Sequence, residues 1–68
     1  SENLIRGEQE TMLHRAIHSL PGPYRAVILL RHREGKEFPE IAAELGRTTA
    51  SVRHLWARGI EQLRKIMQ

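Results

Sequence analysis

The sequence predicts an all-α domain of four helices, the last two of which form a helix-turn-helix. Three observations lead to this prediction. Apolar residues recur at helical spacing in four stretches, Gly and Pro separate those stretches, and no stretch carries a convincing strand signal. At 68 residues the chain has room for one small domain with one core. We place a flexible lead-in at residues 1–7 and the helical domain at residues 8–68.

The first helix is predicted from about Glu8 to Ser19. Residues 1–7 lack a sustained period and contain Gly7, which predicts fraying there. The apolar stripe of this helix consists of Met12, Leu13, Ala16, Ile17 and Leu20. The run Pro21-Gly-Pro23 ends the helix, because a proline disfavours helical geometry in the residue before it and interrupts the backbone hydrogen bonds.

The second helix is predicted from near Pro23 to about Arg33 or Glu34. Its apolar face consists of Tyr24, Val27 and Ile28, widened by Leu29 and Leu30. That density predicts that this helix is the buried centre of the domain. The run from Val27 to Leu30 alone also fits a buried strand, but the helical start signal and the lack of a partner strand favour a helix. Gly35-Lys36 then forms a turn.

The third helix is predicted to begin at Phe38-Pro39, since the missing N–H of a proline costs nothing in a first turn. Gly46 can take the left-handed conformation that ends a helix. Thr48 or Thr49 can cap the fourth helix, which continues to about Ile66. Gly59 costs roughly 1 kcal/mol relative to Ala inside that helix, and a closely packed neighbouring helix would explain its presence.

The fourth helix has two different faces. One face consists of Val52, Trp56, Gly59 and Leu63. Another consists of Arg53, His54, Ala57 and Arg58. The first face is suited to a core and the second offers donors and positive charge. This pattern is typical of a helix-turn-helix, whose second helix enters the major groove of DNA.

The positive charge is concentrated at the carboxyl-terminal end. The formal net charge is only +3. From Gly46 onward, however, Glu61 is the one acidic residue, and the basic residues are Arg47, Arg53, Arg58, Arg64 and Lys65. This asymmetry favours an anionic partner, with nucleic acid as the first candidate. The alternative is a solvated helix face that happens to be basic.

The predicted DNA contacts form three groups. Hydroxyls and backbone N–H groups at the start of the fourth helix can bind phosphate oxygens, at Thr48, Thr49 and Ser51. The outward face contributes Arg53, His54, Ala57 and Arg58, of which the arginines can bond a guanine edge or a phosphate. Arg31, Arg33 and Lys36 could clamp the flanking backbone. The alternatives are that Ser51 only completes the cap, that the two arginines contact phosphate alone, and that the third group is ordinary surface charge.

Three apolar residues of the fourth helix allow two interpretations. Trp56 could stack on a base, but its spacing from Val52 and Leu63 favours a place in the core. Leu55 and Ile60 lie on a different part of the helix. They form either the edge of the core or an apolar patch for a partner protein, and the sequence leaves both interpretations open.

No constellation of catalytic residues is present. Ser19 and Ser51 have no plausible His and acid partners, and there is no Gly-rich phosphate loop. The chain has no Cys, which excludes disulfides and thiolate metal sites. His14 and His18 share a helix face and Glu10 lies one turn earlier, but solvated histidines are a simpler interpretation than a zinc site. We therefore expect no enzyme activity, no cofactor and no metal.

The composition also predicts where the protein acts. No run approaches the roughly 20 apolar residues of a membrane span, and no signal peptide is visible. Together with the absence of Cys, this suits a cytoplasmic protein without membrane contact. Ser1 is not an initiator Met, so the chain can be a piece of a longer protein.

Several motifs resemble region 4 of bacterial RNA polymerase sigma factors, especially the extracytoplasmic-function type. The similarity covers roughly residues 10–66. It is carried by Ala16-Ile-His-Ser-Leu-Pro21, Arg25-Ala-Val-Ile-Leu-Leu-Arg31, Glu34-Gly35, Glu40-Ile-Ala-Ala-Glu-Leu-Gly46, Ser51-Val-Arg53, Arg58 and Leu63-Arg64. The most specific part of the resemblance is its opening. Leu20-Pro21 is followed by Arg25 and by Leu30-Arg31, at the correct distance before the helix-turn-helix.

The resemblance implies a domain that binds the −35 element of double-stranded promoter DNA as part of the polymerase holoenzyme. It also implies a groove for the tip of the β-subunit flap of the RNA polymerase core, and an anti-sigma factor as a further candidate partner. The family's contact positions correspond to Arg53, His54, Ala57 and Arg58, with Ser51 at the helix start. A separate region that melts the −10 element would precede this domain.

This chain departs from the family pattern at a few positions. Leu55 stands where an Arg is common, Trp56 replaces a smaller aliphatic residue, and Phe38-Pro39 replaces a hydroxyl-containing helix start. Two alternative functions stay open from the sequence. One is the helix-turn-helix output domain of a response regulator. The other is a helical module that binds polymerase or an anti-sigma factor without binding DNA.

Overall fold

The computed structural model describes the backbone of residues 2–68 and the side chains of residues 11–68. Four α-helices follow one another along the chain: α1 (Glu2–Ser19), α2 (Gly22–His32), α3 (Phe38–Leu45) and α4 (Thr49–Met67). The described residues contain no strand. The predicted all-α fold with a carboxyl-terminal helix-turn-helix is therefore confirmed.

The start of α1 differs from the sequence prediction. The helix begins at Glu2 rather than near Glu8, so Gly7 lies inside it. One glycine costs about 1 kcal/mol in a helix interior, and neighbours with good helix propensity can offset that cost. The predicted flexible lead-in at residues 1–7 includes Ser1 and side chains that lie outside the described part of the chain, and it stays a prediction.

The other helix ends agree closely with the predictions. Gly46 has φ 66° and ends α3 in the left-handed conformation. The Arg47 N–H donates to the Ala42 carbonyl at 2.9 Å, which satisfies one of the last free carbonyls of α3. Thr48 caps α4, since its Oγ1 accepts a hydrogen bond from the Ser51 N–H at 3.1 Å.

The start of α3 uses a carboxylate pair that the sequence analysis missed. Glu37 is the N-cap residue, and its N–H donates to Oε1 of Glu40 at 3.2 Å. This is one half of a capping box, in which side chains satisfy backbone N–H groups that lack a helical partner. Phe38 and Pro39 therefore begin a stable helix without a hydroxyl residue before them. The signal was present as a Glu three residues ahead of a second Glu.

The core consists of two clusters of buried side chains. The first joins α1, α2 and α4 through Ala16, Ile17, Leu20, Ile28 and Leu63. The second joins α2, α3 and α4 through Val27, Ile41, Ala42 and Val52. Helix α2 contributes to both clusters, as expected of the predicted buried centre. Trp56 packs against both clusters as well, which confirms its interpretation as a core residue.

Helices α2 and α4 lie close together at Gly59. This glycine is buried, and a Cβ added to it would lie 2.5 Å from Cδ1 of Ile28 and 3.5 Å from Cβ of Tyr24. A separation of 2.5 Å between two carbon atoms is shorter than real Cβ atoms show, so a side chain at position 59 would require Ile28 to move. The expectation that a neighbouring helix explains Gly59 is thus confirmed.

The structure corrects one predicted core residue and resolves two open ones. Met12, placed in the apolar stripe of α1, is 56% exposed, because it lies in an open groove beside Ile66 and Met67 at the end of α4. Leu55 packs against the second cluster and Ile60 against the first. Both residues therefore belong to the edge of the core.

Candidate nucleic-acid interface

The helix-turn-helix is built from α3, the turn at residues 46–48, and α4. Ile41 and Ala42 of α3 and Val52 of α4 are buried together, so the two helices are held by one apolar contact. The left-handed Gly46 and the Thr48 cap define the short turn between them. The orientation of α4 therefore follows from the packing of its apolar side.

The opposite side of α4 faces solvent. Arg53, His54, Ala57 and Arg58, the residues predicted to read DNA, are all exposed. Their spacing places them on adjacent positions of one helix surface. We call these four residues the α4 face.

The arginines of the α4 face have no acidic partner among the described side chains. Three ion pairs occur among residues 11–68, and neither Arg53 nor Arg58 takes part in them. A guanidinium group presents five N–H donors in a planar fork, which matches a guanine edge or two phosphate oxygens. Both arginines are thus available to an anionic ligand without first breaking an internal ion pair.

The amino end of α4 offers a second set of donors. Thr48 Oγ1 accepts the Ser51 N–H, which leaves the hydroxyl hydrogen of Thr48 able to donate outward. The first intrahelical bond is donated by Val52 to the Thr48 carbonyl at 3.0 Å, so the N–H groups of Thr49 and Ala50 precede it. Such a helix end attracts a phosphate through its N–H groups and its dipole. Thr49 and Ser51 are half-buried beside it.

Arg47 is a basic residue that the predicted contacts did not include. It lies in the turn directly before the Thr48 cap and is exposed. A cation at this position stands beside the donors of the α4 amino end. The available signal was its place immediately before a helix cap in a basic segment.

The third predicted group, Arg31, Arg33 and Lys36, is arranged differently. Lys36 Nζ lies 2.8 Å from Oε2 of Glu44 and 3.8 Å from Oε1 of Glu34. The hydrogen bond to Glu44 raises the pKa of Lys36 above its ordinary value. Arg33 Nη2 lies 2.5 Å from Nδ1 of His14. These side chains have partners within the domain.

Arg31 has three such partners. Its Nη1 donates to the Lys36 carbonyl at 3.0 Å and lies 3.7 Å from Oε2 of Glu37. Its guanidinium carbon stands 4.8 Å from the centre of the Phe38 ring. The three side chains of this group therefore have their partners in the turn between α2 and α3, in α3 and, for Arg33, in α1. None of these partners belongs to the α4 face.

The two histidines considered for zinc lie side by side on α1. The ring centres of His14 and His18 are 4.3 Å apart. Loss of hydration lowers the pKa of His14, and the neighbouring His18 and Arg33 lower it further. Within the described residues there is no group of three His, Asp or Glu side chains suited to a metal ion. The side chain of Glu10, the third candidate ligand, lies outside the described part.

Of the helices that the structure describes, none combines the length and the apolar run that a membrane crossing needs.

Comparison with known proteins gives one result. A protein-family model described as sigma-70, region 4, matches residues 10–63. No match is found among curated proteins or among solved structures. The matched segment extends from α1 through α2 and α3 into α4 and includes the α4 face.

Proposed function

The chain belongs to the sigma-70 region 4 family, and from this premise we propose that it recognises the −35 element of bacterial promoters within an RNA polymerase holoenzyme. The family consists of DNA-binding transcription domains rather than enzymes. In this proposal the domain positions polymerase on DNA and catalyses no reaction itself. The similarity to extracytoplasmic-function factors supports a small sigma factor as the parent protein.

One observation carries the proposal. Helix α4 is anchored by a buried apolar side, whereas its α4 face is exposed and holds two arginines without acidic partners among the described residues. A structural helix face usually shows mixed charges that pair with each other. An exposed helix face that carries cations without acidic partners and side chains able to donate hydrogen bonds is suited to the major groove of a duplex.

The proposed docking begins at the amino end of α4. The Thr48 hydroxyl and the N–H groups of Thr49 and Ala50 would bind a phosphate oxygen and set the depth of the helix in the groove. Arg47, beside them, would contact a neighbouring phosphate. These contacts carry no sequence information but fix the register of everything that follows.

Base recognition would then fall to the α4 face. Arg53 and Arg58 are separated by about 7.5 Å along the helix axis, which corresponds to roughly two base-pair steps of 3.4 Å. Each arginine could bond the O6 and N7 atoms of a guanine. Along the helix axis Ala57 lies between the two arginines, and its side chain is small enough to contact a thymine methyl group. Leu55 packs on the core and has an apolar side chain, so it would offer the DNA no hydrogen bond.

The contact with polymerase would use an apolar surface. The open groove between α1 and the end of α4 contains Met12, Ile66 and Met67, the exposed large hydrophobic side chains among residues 11–68. We assign the tip of the polymerase β-subunit flap to this groove. An anti-sigma factor that covered the same groove would compete with polymerase.

A DNA-binding titration tests the function. A pool of duplexes with a randomised central segment is enriched for binding to the chain, and the winning duplex is titrated at several salt concentrations. With about five phosphate contacts, log K should fall with log salt at a slope of roughly −4 to −5. A scrambled duplex serves as the control and should bind more weakly at every salt concentration.

The titration can also contradict the proposal. A flat salt response, or equal binding to the enriched and scrambled duplexes, would show that the α4 face does not read promoter DNA. Retention of the polymerase β-subunit by the same preparation would then favour a helical module that binds protein alone.

A further inference from the structure

We propose that Arg31 is a positioning residue for DNA recognition: it holds the turn between α2 and α3 and, through Phe38 and Trp56, sets the orientation of α4. The inference rests on the proposed function, because α4 is the helix assigned to the DNA. It differs from the sequence-based hypothesis, in which Arg31 clamps the DNA backbone directly.

The first step concerns what the turn lacks. Residues 33–37 connect α2 to α3 and contain no apolar side chain that could hold them to the core. Helix α3 has only eight residues, which is too short to be stable without tertiary contacts. Within this segment only polar contacts can hold the chain, and they add to the packing of Phe38, the first residue of α3, against the second cluster.

Arg31 supplies these contacts from the last turn of α2. Its guanidinium donates to the Lys36 carbonyl at 3.0 Å, lies 3.7 Å from the Glu37 carboxylate, and covers the Phe38 ring at 4.8 Å. Three consecutive residues of the chain thus meet one planar group. The Lys36 N–H adds a bond to the Leu30 carbonyl at 3.2 Å.

The second step leads from Phe38 to α4. The Phe38 and Trp56 rings meet edge to face, with centres 5.9 Å apart and an angle of 63° between their planes. Such aromatic pairs have a preferred geometry. Trp56 directly precedes Ala57 and Arg58, so a displaced Phe38 would turn the α4 face relative to the rest of the domain.

Two substitutions at Arg31 separate positioning from phosphate contact. Arg31→Gln removes the charge, whereas Arg31→Lys keeps the charge but loses the planar group that covers Phe38. Both should reduce affinity for the enriched duplex by about three- to tenfold, the range expected for a cation–π contact and its neighbouring hydrogen bond. The slope of log K against log salt should stay unchanged in both.

The fluorescence of Trp56 provides a measurement that does not depend on DNA. Trp56 is the single tryptophan of the chain and is half-buried. Both Arg31 variants should shift its emission to longer wavelength, because a loosened Phe38 admits water to the indole. Arg25→Gln is the matched control: Arg25 lies on the same helix and donates to the His18 carbonyl at 3.3 Å, away from the turn. It should change neither the emission nor the affinity.

Two further experiments distinguish a loss of positioning from a general loss of folding. Urea unfolding first establishes that each variant is folded under the binding conditions. In the Phe38→Leu background, Arg31→Gln should then cause little further change in emission or affinity, because the connection to α4 is already broken.

Two results would overturn the inference. One is an Arg31→Lys variant with the affinity and emission of the unmodified chain, together with an Arg31→Gln variant whose salt slope is smaller by about 1, as for a lost phosphate contact. Another is unchanged emission in both variants. If the unmodified chain binds no duplex, the proposed function fails, and the emission alone decides whether Arg31 holds α4.

Discussion

The α4 face and the α2–α3 turn carry similar basic side chains in very different surroundings. Arg53 and Arg58 are exposed and have no acidic partner among the described residues. Arg31 is bound to the Glu37 carboxylate and to the Lys36 carbonyl, and Lys36 is bound to the carboxylates of Glu44 and Glu34. Positive charge alone therefore does not identify a DNA contact. We therefore base the proposed DNA contacts on positive charge that the fold leaves uncompensated.

The difference arises from where the acids lie. Glu34, Glu37 and Glu44 surround the turn, whereas Glu61 is the only acidic residue after Gly46. Exposed ion pairs are worth only about 0–1 kcal/mol, so the pairs at the turn are weak individually. They nevertheless occupy donors that DNA would otherwise use. The basic residues of α4 meet no such competition.

The largest expected effect removes the support that the two regions share. Ile41 is fully buried in the cluster that joins α2, α3 and α4. Ile41→Ala should lower the free energy of unfolding by about 2–5 kcal/mol, comparable to the whole stability of so small a domain. Urea unfolding followed by circular dichroism measures this change.

The matched control for that prediction is Ile66→Ala, at a position that is 49% exposed. It should change the free energy of unfolding by about 0.5 kcal/mol or less. Similar losses in the two variants would mean that the cluster around Ile41 does not support the helix-turn-helix as described.

The next largest effect sharpens the comparison on DNA. Arg58→Ala should cost about 1–3 kcal/mol of binding free energy on the enriched duplex if Arg58 reads a base. The loss on a scrambled duplex should be smaller, because only the general charge is missing there. Titration of both duplexes provides the measurement, and equal losses would assign Arg58 to a phosphate instead.

The smallest expected effect is a decrease in the free energy of unfolding at acidic pH, which arises from His14 on α1. The pKa of His14 is lowered in the folded chain by loss of hydration and by the nearby His18 and Arg33. Below the ordinary value of 6.5 the unfolded chain therefore binds more protons than the folded one, and stability falls as the pH falls. Urea unfolding at several pH values between about 5 and 8 measures this dependence.

His14→Gln should remove part of that pH dependence. Ala57→Gln, which changes an exposed residue of the α4 face without removing a titratable group, is the control and should leave the dependence as it is. If both variants retained the full dependence, the lowered pKa of His14 would not be its source.

The fold was largely predictable because its signals are local. Pro21 and Gly46 mark helix ends through their backbone conformation and Thr48 through its side-chain oxygen, and each lies where the sequence analysis placed the corresponding boundary. The start of α1 was not predicted, since a single Gly7 weakens a helix without ending it. The Glu37–Glu40 cap was missed because Glu, unlike Ser, Thr, Asp or Asn, is not a preferred residue at the N-cap position.

The position of the candidate site on α4 was predictable from the sequence. Which basic side chains form ion pairs or hydrogen bonds within the domain was not. The spacing of Arg53 and Arg58 relative to Val52 and Gly59 already places them opposite the core. The partners of Arg31 follow from a contact between the end of one helix and the start of another. Such a contact depends on how α2 and α3 are oriented, which no local pattern specifies.

The amino-acid sequence by itself determined the number of helices, their ends apart from the start of α1, the buried side of α4 and the family, because these depend on periodicity and on neighbouring residues. Only the tertiary structure decided which cations are neutralised. Ion pairing requires two side chains within about 4 Å, and that distance is set by how separate helices pack. The same packing leaves Arg53 and Arg58 without partners among the described residues and therefore available to a duplex.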